Sequence, residues 1–134
     1  MFDILRQILR FFTGGGTSSK RSSSGLNRQL VKDKWADIEQ LIELGGASRF
    51  KTAIMEADKL LDYALKGKGY KGETMGDRLK WAQRSMKREI LDAAWNAHKY
   101  RNRVVHDVET DVMHYEVKKQ IENYRKVFKS LGVL

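Results

Sequence analysis

Residues 97–107 read AHKYRNRVVHD and hold most of the side chains able to grip an anion or move a proton. His98, Asn102 and His106 are spaced four apart and fall along one line of a helix. Beside it runs an apolar line of Ile90, Ala94, Ala97, Val104 and Val108, to which position 101 belongs by period although it holds arginine. A guanidinium on a core-facing line is costly unless an acid pairs with it or it faces a cleft or partner. Arg101 is therefore the position most in need of a functional explanation. Its planar fork suits paired hydrogen bonds to phosphate, and an imidazole with an unperturbed pKa near ~6.5 suits proton transfer at neutral pH. Asn102 is within one turn of His106, but Arg101 precedes His106 by five residues, so on an ideal helix the two diverge by roughly 140°. They meet only if Arg101 reaches round, the helix deforms, or a second subunit supplies one of them.

Other chemistries are excluded by type and spacing. The chain has no cysteine, which removes thiolate ligands, cysteine nucleophiles and disulfides together and points to a reducing, cytoplasmic compartment. Histidines eight residues apart on one helix lie ~12 Å apart at a rise of 1.5 Å per residue, too far to share a zinc ion. No metal site and no cofactor is expected. The glycines of TGGGTSSK lack the GKS/T ending of a phosphate-binding loop. His98 and His114 read as surface or hydrogen-bonded histidines without a catalytic role.

Charge adds a partner class. The net charge is +9, and residues 66–103 alone carry eleven basic and four acidic side chains. Lys68, Lys71, Arg84, Lys87, Lys99 and Arg103 are the candidate contacts to a nucleic-acid backbone. A solvated lysine-rich helical surface is the plain alternative.

The elements that must hold these groups are helices. No proline occurs in 134 residues that are 41% hydrophobic and 32% charged, which suits uninterrupted helices. Residues 1–12 form a short amphipathic helix, with Phe2, Ile4, Leu5, Ile8, Leu9, Phe11 and Phe12 opposite Asp3, Arg6, Gln7 and Arg10. It is too short to span a bilayer and is expected to dock on a protein partner or lie on a membrane surface. Residues 13–25 are a Gly/Ser-rich linker, expected to be flexible. Residues 26–134 should form an antiparallel bundle of four to five helices. The first carries Leu26, Leu30, Trp35, Ile38, Leu41 and Ile42 and stops at Gly45 and Gly46. The second, capped by Ser48, carries Phe50, Ala53, Ile54, Ala57, Leu60, Leu61, Ala64 and Leu65. A third opens on the capping box formed by Thr74 and Asp77, and a fourth runs over about 87–108. A fifth, capped by Thr110 or Asp111, turns Val117, Ile121, Tyr124, Phe128 and Leu131 inward.

Arg101 and Asn102 followed by His106 resemble the Arg-x(4–6)-His signature of the HEPN superfamily, including its polar residue directly after the arginine. Ala97, His98 and Lys99 before the arginine, and Ala57 to Asp62 with Gly69 and Tyr70, look like small bacterial members. The resemblance covers roughly residues 35–131. It implies a helical bundle that dimerises to bring two motifs into one cleft, and an RNA-binding or metal-independent endoribonuclease activity. His106 would be the general base or acid, Arg101 would hold the scissile phosphate, and Asn102 would orient one of them. Position 108 is valine, so the His-x-Tyr variant of the motif, in which the tyrosine is modified, is absent. The alternative is a non-catalytic interaction module tethered through its N-terminal helix, with Arg101 anchoring an interface through an acidic residue.

Overall fold

The computed structural model describes residues 25–107 and 111–134. Among them are five helices and no strand: α1 Arg28–Leu44, α2 Ala47–Gly67, α3 Met75–Ala82, α4 Arg88–His106 and α5 His114–Ser130. The expected all-α bundle is the observed architecture. The segment 1–12 and, apart from Gly25, the linker 13–25 lie outside the described residues, as do Val108 and Thr110.

The bundle is organised around α2, which packs against each of the other four helices. All eight residues of its expected stripe are buried. Leu60, Leu61 and Leu65 fill volume there, each worth ~1.5–3 kcal/mol on full burial, while Ala53, Ala57 and Ala64 let neighbouring helices approach. A helix covered on several sides has little solvent face left in its middle, and so Glu56 and Asp58, on either side of Ala57, are buried as well. From α5, Tyr124 and Phe128 close the core, Phe128 meeting Trp35 edge-to-face at 5.3 Å.

The helix ends follow local chemistry, with some departures from the sequence reading. Asn27 caps α1, its side chain accepting from Leu30 N at 3.0 Å. The preceding Leu26 lies so close to Gly67 that a Cβ there would stand 2.9 Å from the leucine's own Cβ. Ser48 does not cap α2. The helix begins earlier, at Ala47, because Gly45 and Gly46 at φ +76° and +99° reverse the chain directly into it. Thr74 caps α3 as expected, its Oγ1 accepting from Asp77 N at 3.1 Å. Asp111 does not cap α5: Val112 packs against the core and Met113 is extended, so the helix can begin only at His114.

Candidate functional site

Arg101 does not reach round its own helix. It turns across to α2, where its Nε stands 3.8 Å from Asp58 Oδ2, while its Nη1 donates to Asn102 Oδ1 at 2.9 Å. Asp58 is 4% exposed and is the hub of a polar network. Its Oδ1 accepts from the Tyr124 hydroxyl at 2.8 Å, and the His98 Nδ1 lies 3.0 Å from Oδ2 and 3.2 Å from Oδ1. Side chains from two helices, His98 and Arg101 of α4 and Tyr124 of α5, thus converge on one carboxylate of a third.

Burial pushes the Tyr124 hydroxyl well above the usual tyrosine range, and the adjacent Asp58 carboxylate pushes it further. Tyr124 therefore stays protonated and donates. A carboxylate oxygen accepts, so the His98 tautomer that fits this contact carries its ring proton on Nδ1 and leaves the lone pair on Nε2. That nitrogen lies 3.5 Å from Asn102 Nδ2, at the long limit of a hydrogen bond. Arg101 Nε is buried without a hydrogen-bond partner, yet the side chain as a whole is 32% exposed.

The exposed part of Arg101 opens on a groove of ≈ 530 Å³, bordered also by Asp58, His98 and Asn102 and by Thr74 and Gly76 at the start of α3. Asp62 lies on the same rim, with its carboxylate bound to Arg78 Nε at 2.8 Å. A larger groove of ≈ 790 Å³ runs between α1 and α5. Among its charged groups, Arg125 binds both Glu39 and Glu122.

Of the three residues singled out on α4, the structure brings two together. Asn102 turns back to Arg101 and His98 rather than on to His106. His106 is exposed in the last turn of α4 and does not border the Arg101 groove of its own chain. Lys68, Lys71, Arg84, Lys87, Lys99 and Arg103 are all exposed. Arg84 lies over Trp81, Lys99 over Trp95 and Arg103 over Tyr100, so aromatic faces hold three of the six cations.

Asp58, Tyr124 and the buried role of His98 were missed from the sequence. A signal was present: Asp58 stands four residues after Ile54 and three before Leu61, interrupting the apolar line of α2 as Arg101 interrupts that of α4. Opposite charges that each break a core line are natural partners.

No family model, curated protein or solved structure matches the chain. The HEPN resemblance rests on the motif residues themselves. Among the described residues no helix is long and apolar enough to cross a membrane, and no group of three or more His, Cys, Asp or Glu could hold a metal ion.

Proposed function

We propose that this bundle is a HEPN-type, RNA-directed domain that acts as a homodimer and cleaves RNA without a metal ion. The observation that carries the reading is the disposition of Arg101. It sits on a core-facing line, its neighbouring carboxylate stands at 3.8 Å rather than in a close pair, and its side chain, 32% exposed, lines a groove. A guanidinium so held supplies directed donors to the phosphate of a bound strand and offsets charge building on it in the transition state. The 2′-hydroxyl of the ribose would attack that phosphate, which confines the reaction to RNA. The resemblance assigns the proton transfers to His106, which is exposed and open to a second copy of the chain.

The test is incubation of the purified protein with mixed RNA and with DNA of matching sequence, both in EDTA. RNA should be cut, leaving cyclic phosphate ends, and DNA should survive. Arg101→Ala should abolish cutting. Inhibition by EDTA, or an Arg101→Ala protein as active as the wild type, would sink the catalytic reading.

One observation favours a non-catalytic interaction module instead: the acid nearest Arg101 belongs to the same chain, on α2. Leu44, Met113 and Tyr115 are also exposed, offering apolar surface to a protein partner. Intact RNA in the same assay would move this reading to first place.

A further inference from the structure

We infer that Asp58, His98, Arg101 and Asn102 form, within one chain, a site for a phosphate ester, and that His98 rather than His106 is the histidine that meets it. The inference deepens the proposed function and rests on it for the identity of the ester as RNA.

The geometry supplies three things that such a ligand needs. The exposed part of the Arg101 guanidinium lines the groove, with Nη1 steadied by Asn102 Oδ1 at 2.9 Å and Nε buried towards Asp58. The first turn of α3, Thr74 to Gly76, lines the same groove. First-turn N–H groups have no carbonyl partner within their own helix and favour negative charge. His98 is the third lining group, with Nδ1 3.0 Å from Asp58 Oδ2 and Nε2 on the side of Asn102. Asp58 is a positioning residue: buried and already accepting from Tyr124, it fixes the ring's tautomer and orientation and would stabilise the imidazolium formed on proton uptake. The neighbour of Nε2 in this network, Asn102 Nδ2, stands at 3.5 Å, the long limit of a hydrogen bond.

The groove is lined by two acids, Asp58 and Asp62, and two cations, Lys59 and Arg101; Asp62 is bound by Arg78, Asp58 faces His98 and Arg101, and Asp77 stands in the first turn of α3. An anion is drawn here by the directed donors of Arg101 rather than by net charge. With an RNA strand bound, Nε2 takes the proton of the 2′-hydroxyl and the 2′-oxygen forms its bond to phosphorus. The phosphorus–5′-oxygen bond breaks, the leaving 5′-oxygen takes a proton from water, and the hydroxide left behind takes the proton from the His98 imidazolium. The products are a 2′,3′-cyclic phosphate and a 5′-hydroxyl end. No oxidant, reductant or metal enters this balance.

The experiment uses the full chain, isotopically labelled, titrated with uridine 3′-monophosphate and separately with inorganic phosphate. The His98 imidazole and Arg101 Nε–H resonances should move together and saturate, while those of His106 and His114 stay in place. Arg101→Ala should remove the response of His98. A response at His106 without one at His98, no response at either His98 or Arg101, or a His98 response that survives Arg101→Ala would each overturn the site. RNA cleavage is then compared in His98→Gln and His106→Ala, with circular dichroism confirming that each variant is folded. A loss of at least ~10²-fold in His98→Gln alone supports the assignment. Cleavage lost only in His106→Ala overturns it while leaving the nuclease reading intact. Saturating shifts at His98 and Arg101 in a protein that cuts no RNA support the phosphate site and sink the nuclease reading.

Discussion

Glu56 is 2% exposed, and neither of its carboxylate oxygens has a hydrogen-bond partner. Burial pushes its pKa up to about 7, against the opposing pull of Lys59 and Lys34. The folded protein therefore holds a proton on Glu56 at pH values where the unfolded chain, with an ordinary glutamate, has released it. That contribution to stability is complete below the ordinary value of 4.5 and is lost as pH rises through about 7. Urea unfolding at pH 5.5 and pH 8 should show the wild type weaker at pH 8. Glu56→Gln should flatten that fall and be the more stable protein at pH 8 by about 1–2 kcal/mol, since it never carries the buried charge. An equal pH dependence in both proteins would mean that other groups set it. Single residues were unevenly legible in the sequence. Arg101 declared itself by breaking an apolar line, because a charge in the wrong period is visible without a structure. Its partner did not, because Asp58 and Arg101 lie on different helices and only packing shows which two interruptions face each other. His98 looked ordinary for the same reason: its ring is defined by a carboxylate forty residues away.

At the scale of elements, periodicity found the five helices, since burial repeats every three to four residues, while their ends depended on chemistry that a pattern does not carry. Thr74 was legible because a side chain three residues before its N–H partner is a local arrangement. The start of α5 was not, because Val112 is drawn to a core that only the folded molecule has. The connection from α2 to α3 shows what a short segment can fix. Gly72 has φ +149°, and a Cβ on it would lie 2.7 Å from Asp77 Cβ and 2.8 Å from Arg78 N. Its carbonyl accepts from Arg78 Nη1, and Arg78 in turn binds Asp62 on the rim of the groove. Gly72→Ala should thus cost about 1–3 kcal/mol through clash and backbone strain together. Gly76 is the control on the same rim. It is helical, its added Cβ would meet nothing nearer than 3.9 Å, and alanine is the better helix former by ~1 kcal/mol. Gly76→Ala should be neutral or stabilising in the same urea titration. Equal losses at both positions would show that the close packing at Gly72 is not the cause.

For the whole molecule the governing feature is where its positive charge lies. Tyr70 and Trp81 meet edge-to-face at 5.4 Å, and this contact ties the segment bearing Lys68 and Lys71 to the turn bearing Arg84 and Lys87. Arg84 lies over the Trp81 ring at 4.7 Å, so at least one of these cations is held rather than free to sweep through solvent. A second set, Lys99 and Arg103, stands on α4 beside the residues of the groove. If a single strand runs from the groove across the first set, each phosphate it neutralises releases counterions, and affinity falls with salt by about 0.7 in logarithmic slope per contact. Replacing Lys68, Lys71, Arg84 and Lys87 together by Ala should then lower the magnitude of that slope by up to about 3, measured by fluorescence anisotropy of a labelled single-stranded RNA. All four residues are exposed, so stability should hardly change. Replacing Lys99 and Arg103 should lower the slope by about half as much, because only two contacts are removed. A slope unmoved by the first set and reduced by the second would confine the strand to α4. A slope unmoved by both would show that the chain's excess positive charge serves something other than an RNA backbone.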